Sequence, residues 1–389
     1  MTVLVTPFPG QVVRPSWAAR VISPLHDVLT VEERRAIMAD DPDSYLYVTS
    51  DPLDLPHAPG GDPRTANAVA QQRLLDLGAY DEPEAGAAYA YRMIDGGDGH
   101  TGIVVQVSVA GFVDGRVLGH EGVQPDRVDG LVRHFDVVPR RSELISLVHR
   151  DDAEVAELTA SVSRTAPILD IVDVSGIGQT VWRAGATQTA QLVERLDGRQ
   201  LYIADGHHRV AAAVRRWERD GRPDDATVLC VIYPERQIRL YAFHRLLHGP
   251  VDVAALLEAS AEDFDIRPAA GPTLSSGRFG LYAAGRWSEL VPRSARLPRG
   301  VAGLDVTILD QRLLRPRSGI VAGDPRLEFV PELRDLNSTL RTCDTDGGVL
   351  FTLQAPSIDD LVAVAERGEV MSAKSTYVQP KPRTGIFLL

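Results

Sequence analysis

The chain has 389 residues, a formal net charge of −12, 44% hydrophobic residues and 24% charged residues. This is ordinary globular composition, enough for two or three modest domains. The acidic balance argues against a general nucleic-acid binder, which needs clustered positive charge to meet phosphates. No apolar run approaches the roughly 18 residues of a membrane span. The start, Met1-Thr2-Val3-Leu4-Val5, has no basic region ahead of its apolar stretch. A soluble, cytoplasmic chain with no membrane partner is therefore expected.

In chain order, a helix is predicted from Thr30 to Ala39, with Thr30 and Glu33 spaced as a capping box. A proline- and glycine-rich loop over 51–64 precedes a helix from Thr65 to Leu77. Tyr89 to Met93 and Gly102 to Phe112 read as antiparallel strands joined by a turn around Gly96-Gly97. Arg116 to Glu121 ends a strand and leads into a helix over Pro125 to Phe135. Helices over 151–162 and 187–196 flank a strand at Thr180 to Arg183. Gln200 to Ala204 is a strand, and His208 to Asp220 a helix. Strands follow at 227–233 and 238–243, then a helix over 251–262. A hairpin is expected with arms at Phe279 to Ala283 and Trp287 to Val291. A helix over 357–367 and an extended end close the chain. The pattern is α+β, with antiparallel and mixed sheets. It divides into an N-terminal region 1–115, a core 116–248 and a C-terminal region 249–389.

Two cysteines give neither a disulfide framework nor a metal cluster, which suits a reducing compartment. Cys230 lies in an apolar strand, and Cys343 is placed in a polar loop. Of 41 basic residues only Lys374 and Lys381 are lysines. Arginine and lysine serve alike on a solvated surface, so codon bias can replace one with the other. Two lysines surviving in one short segment are either chance survivors or places where a compact ammonium is needed and a planar fork will not serve.

Asp205-Gly206-His207-His208-Arg209 is the segment richest in chemistry. An apolar strand ends at Asp205, glycine permits a tight turn, and a helix opens at once. Unpaired backbone N–H groups and the positive helix end then share one small space, suited to phosphate or carboxylate. Arg209 adds a bidentate clamp, and Asp205 can orient magnesium or accept a hydroxyl proton. The plainer alternative is a helix cap with surface histidines. His120-Glu121 falls at a strand-to-helix junction, where Glu121 is either a general base or an ordinary solvated acid. Lys374-Ser375-Thr376, with Lys381 beyond, combines ammonium and hydroxyl donors as a phosphate-handling loop would, or else is an exposed strand. His244-Arg245 ends a strand, and His26-Asp27 sits in an extended N-terminal stretch. His120, Glu121, Asp205, His207 and His208 could also surround a divalent ion. No pair has the i, i+4 spacing of a zinc hydrolase, which leaves magnesium shared with a phosphate substrate.

The segments Ile203 to Arg209, Phe243-His244-Arg245, Gly303 to Val306, Gly368 to Met371, Lys374 to Tyr377 and Pro380-Lys381 resemble the family catalogued as domain of unknown function 1015. The match in order and spacing runs over almost the whole chain. Its section from His120 to Arg209 is similar to a superfamily of ParB partition proteins, sulfiredoxins and free serine kinases. That resemblance implies a ParB/sulfiredoxin-like core. It also implies a phosphotransferase acting on the side-chain hydroxyl of a free small amino acid such as serine. Glu121, Asp205 and His207 would be catalytic. Gly206, His207, His208, Arg209, His244, Arg245, Lys374, Ser375, Thr376 and Lys381 would hold nucleotide or phosphate. His120 and Asp27 would meet the acceptor, and Asp205 would carry magnesium. ATP, ADP or pyrophosphate would be the donor, and a homodimer is allowed. Histidine at 207 replaces the cysteine that sulfiredoxin chemistry needs, and no basic helical domain supports ParB-like DNA binding. Gly119, His26, Arg140-Arg141-Ser142 and Ser372-Ala373 depart from the family pattern. Two other readings stay open, a nucleotide-binding regulatory module and a magnesium-dependent phosphohydrolase.

Overall fold

Asp95-Gly96-Gly97-Asp98 is built for a two-residue reversal, because both central positions need positive φ and glycine supplies it without steric cost. In the computed structural model Gly96 and Gly97 take φ of +58° and +99°, and Asp95 pairs with Asp98 across the turn. The structure describes residues 3–51, 55, 65–83, 85–293, 300–320, 323–372 and 374–389. They form two units. The first is Met1–Gly119 with Val123–Ile238 and Pro380–Leu389; the second is His120–Gly122 with Arg239–Gln379.

The first unit is organised by a nine-stranded mixed sheet. Its strands are β1 (Val5–Thr6), β2 (Tyr89–Asp95), β3 (Asp98–Ser108), β4 (Val117–Leu118), β5 (Ile145–His149), β6 (Leu169–Val172), β7 (Gly178–Arg183), β8 (Leu201–Asp205) and β9 (Thr227–Pro234). The spatial order is β4-β8-β5-β9-β3-β2-β7-β6, with β1 also paired to β3. Strands from both sides of residue 115 thus share one sheet. β8 and β9 are nearly continuous apolar runs because they lie inside the sheet with both faces covered. Four helices accompany it: α1 (Pro125–Val137), α2 (Ala153–Ser163), α3 (Ala186–Asp197) and α4 (His207–Arg219), with α1 packed on α4 through Val128, Phe135 and Ala212. Asp152 caps α2 through the N–H groups of Glu154 and Val155. Ile103, Val105, Leu147, Leu192, Ile203 and Cys230 share the core.

The second unit holds a six-stranded antiparallel sheet. Its strands are β10 (Phe243–Leu247), β11 (Phe264–Ala269), β12 (Phe279–Ala283), β13 (Arg286–Pro292), β14 (Leu327–Pro331) and β15 (Val349–Thr352), in the order β11-β13-β12-β15-β10-β14. A separate ribbon pairs Arg239–Tyr241 with Tyr377–Gln379. Leu309–Leu314 winds as a π-helix, a form that concentrates at functional positions.

The Thr30–Glu33 capping box is present. The predicted helices over 125–135, 151–162, 187–196, 208–220 and 357–367, and the 279–291 hairpin, all form within a few residues of their expected limits. Cys343 requires correction. It is buried within the helix Leu336–Asp346, which Asp335 caps at its start and Gly347 ends in the left-handed conformation. Leu336, Leu340 and Cys343 recur at helical spacing and pack on one cluster, a pattern that the polar residues between them masked. No helix among the described residues is long and apolar enough to cross a membrane.

Candidate functional site

β8 delivers Asp205 to the end of the sheet, and its pairing with β5 slips by one residue at Ala204. Such bulges re-aim a side chain. Gly206 follows with φ of +105°, which a side chain would oppose. A Cβ there would also lie 3.1–3.3 Å from the Arg209 guanidinium, so glycine is what lets arginine fold back over the turn. Arg209 Nη2 donates to Asp205 Oδ2 at 2.7 Å, and its Nη1 donates to the Leu144 carbonyl at 2.6 Å. Lys381 Nζ meets the other carboxylate oxygen, Oδ1. Burial alone would raise the Asp205 pKa, but Lys381 and then Arg209 outweigh it and hold the carboxyl well below the usual range. The three side chains are 12–21% exposed, enough burial for solvent to screen the pairing weakly.

Lys381 reaches this position because the chain just after it is pinned. Arg383 Nε donates to the buried Asp173 at 2.6 Å, and the Arg383 backbone N–H donates to Tyr91 Oη. Thr384 exchanges backbone hydrogen bonds with Ser23 in both directions, and Gly385 N donates to Ser142 Oγ at 2.6 Å. Sequence reasoning singled out Lys381 but missed Arg383 and Asp173. The one available signal was an arginine two residues beyond the lysine.

The two histidines of the turn differ. His207 is buried, and a Cβ at Gly119 would come within 3.3 Å of its ring. The absence of a side chain at 119 therefore lets the β4 end approach the helix start. His208 Nε2 accepts the Gln124 backbone N–H at 3.0 Å, next to the start of α1. It thus ties α4 to α1, a structural duty not foreseen for it.

The expected magnesium role of Asp205 does not fit this donor set. Both carboxylate oxygens already face cations, so Asp205 orients Lys381 and Arg209 and is not poised as a metal ligand.

The other expected residues belong to the second unit, apart from Asp27, whose side chain lies outside the described residues. His120 is buried, and Glu121 bridges to Met371, whose N–H donates to the His120 carbonyl at 2.8 Å. Lys374 has φ of +59°, a conformation rarely taken by a residue with a Cβ, and its ammonium lies 5.0 Å from the Phe243 ring centre. Ser375 and Thr376 are buried, and Ser375 Oγ donates to the Ser372 carbonyl at 2.6 Å. Arg245 was expected at a phosphate, but it has no exposed surface. It donates to the Phe243 and Lys374 carbonyls at 2.7 and 3.4 Å, pairs with Asp310 at 3.3 Å and stacks on Phe329. Asp310, which the sequence did not single out, sits on the π-helix. His244 is buried, and burial followed by the neighbouring Arg245 pushes its pKa down to about 4, so it is neutral at physiological pH.

The fold is therefore mixed α+β, with a strand-to-helix turn where one carboxylate faces two cations. The chain belongs to the family described as protein of unknown function (DUF1015), whose model matches residues 5–307. No curated protein matches the sequence. Among solved structures, a mutant free serine kinase in complex with ADP is 14% identical with a TM-score of 0.39, covering 73% of this chain and 91% of that one. A conserved hypothetical protein from Pyrococcus furiosus is 13% identical, TM-score 0.37, with 73% and 93% covered. SbnI from Staphylococcus aureus, truncated at its C-terminus, is 12% identical, TM-score 0.41, with 72% and 84% covered.

Proposed function

We propose that this protein is a phosphotransferase that phosphorylates the side-chain hydroxyl of a free small amino acid such as serine, with ATP, ADP or pyrophosphate as donor. The observation that carries the reading is the convergence of Lys381 and Arg209 on Asp205 beside the first turn of α4. Two cations against one anion leave a net positive charge, and the helix end adds its own partial positive charge. An incoming phosphoryl group would take over hydrogen bonds that the carboxylate now holds in place, so little reorganisation is needed. Lysine supplies the point charge and arginine the fork.

In this reading the acceptor oxygen attacks phosphorus and its proton passes to Glu121. The bond from phosphorus to the leaving oxygen breaks, and the electron pair departs with the leaving group. Gly206, His207 and Arg209 hold the donor phosphates. His120 and Asp27 are assigned to the acceptor, and Lys374 with Ser375 and Thr376 to charge on the transferred group. We also propose that residues 116–248 represent a ParB/sulfiredoxin-like core, since an Asp-Gly-His-x-Arg turn opens a helix after a buried strand.

The test is turnover with L-serine and each donor in the presence of magnesium, with O-phosphoserine read by mass spectrometry. Glu121→Gln should lower turnover by roughly 10²–10⁴-fold at unchanged nucleotide affinity. Phosphate release that needs no acceptor would identify a phosphohydrolase instead. Nucleotide binding without any turnover would identify a regulatory module.

A further inference from the structure

A second feature of the first unit lies at the other end of β5. Ser146 stands opposite Asp205, while His149 closes the strand three residues on, about 10 Å away at some 3.3 Å per residue. His149 lines a cavity of about 160 Å³ between α2, the β2–β3 hairpin and the end of β9. That is roughly five waters' worth of liquid volume, room for a small organic acid. Its walls include Ile103, Val155, Ala156 and Ile232, and no aspartate or glutamate is among the lining residues.

Two polar groups give this cavity a direction. His149 is 1% exposed, and its Nδ1 lies 2.7 Å from the Arg150 carbonyl. A carbonyl only accepts, so Nδ1 carries the proton. Burial pushes the imidazole pKa down, so the ring is neutral and Nε2 is a bare acceptor. That Nε2 is buried and has no hydrogen-bond partner among the described residues, a costly condition unless something occupies the space. Arg92 supplies positive charge. Its Nε donates to Thr101 Oγ1 at 3.0 Å and its guanidinium lies 4.8 Å over the Trp182 ring, so the fork is held in place. The other lining cation, Arg236, is already paired with Asp151.

We propose that this cavity binds a small hydroxycarboxylate, with its carboxylate on Arg92 and its hydroxyl donating to His149 Nε2. An ammonium-bearing acid is disfavoured, because Arg92 lines the space and no aspartate or glutamate is there to receive the ammonium. The site is separate from the Asp205 turn and does not depend on the activity proposed there.

Calorimetric titration of the full chain with lactate and with propionate tests it, since propionate lacks only the hydroxyl. Lactate should bind at least fivefold more tightly. Arg92→Gln and Ala156→Leu, the second filling the cavity, should each weaken lactate at least tenfold in a chain that still unfolds cooperatively. Asp205→Asn should leave lactate binding as it is. The proposal is overturned if lactate does not bind, if propionate binds equally, or if binding survives both cavity substitutions. Loss of binding in Asp205→Asn alone would overturn it too, by placing the ligand at the turn.

Discussion

The only two lysines of the chain are held in opposite ways. Lys381 lies on ordinary backbone, its position set by the pinned residues 383–385, and its ammonium meets a carboxylate. Lys374 takes a left-handed backbone, its carbonyl is held by the buried Arg245, and its ammonium lies over an aromatic ring. One lysine is placed by a relaxed anchor and compensated by charge. The other is placed by strain, and strained residues persist only where their surroundings over-determine them. Residues around a lysine therefore reveal more about its role than its rarity does.

The largest effect is expected at Arg245. Its replacement by methionine fills the space but leaves Asp310 without its partner, so the unfolding free energy should fall by about 3 kcal/mol in urea titrations. The double change Arg245→Met with Asp310→Leu should recover much of that loss. Failure to recover would mean that the hydrogen bond to the Lys374 carbonyl is the main contribution.

Next comes Lys381. Lys381→Ala should weaken donor binding by roughly 10- to 100-fold, the loss of a charge-assisted hydrogen bond of about 1.5–3 kcal/mol. Lys381→Arg should do nearly as much damage, because a planar fork does not reproduce the ammonium. Asp205 should also titrate at higher pH in the alanine variant, measurable by carboxyl NMR. An unshifted Asp205 would break the comparison, by showing that the lysine does not compensate it.

Lys374→Gly should stabilise the protein by a net ~0.5–1 kcal/mol, since relief of the left-handed strain exceeds the added backbone entropy of glycine. Lys374→Ala keeps the strain and loses only the ammonium, so comparing the two separates backbone from charge. Equal stabilities would remove strain from the account.

The smallest effect lies at His248. Asp346 and then Glu328 raise its pKa above the ordinary 6.5. The stabilisation it brings is fully present below that value and is lost as pH rises through the raised one. The melting-temperature gap between the native chain and His248→Gln should therefore narrow as pH climbs past neutrality.

Much of this was legible locally. The Asp205 turn follows from an apolar strand, one glycine and an immediate helix. The Gly96-Gly97 reversal and the Thr30 cap are likewise properties of adjacent residues. Other features carried no local mark. Arg245 looks like a ligand contact at the end of a strand, and only its partners on β14 and the π-helix show it to be buried. His208 looks like part of the turn's chemistry, yet it accepts a hydrogen bond from the start of α1.

The sequence by itself determined the α+β class, the main helices and strands and the identity of the phosphate-suited turn, because periodicity, capping and glycine placement act within a few residues. Tertiary structure alone decided which cation meets Asp205. Lys381 lies 176 residues away and reaches it only because Arg383, Thr384 and Gly385 find buried partners at Asp173, Ser23 and Ser142. Such pairing depends on where distant backbone is anchored, and no local pattern in the chain encodes that.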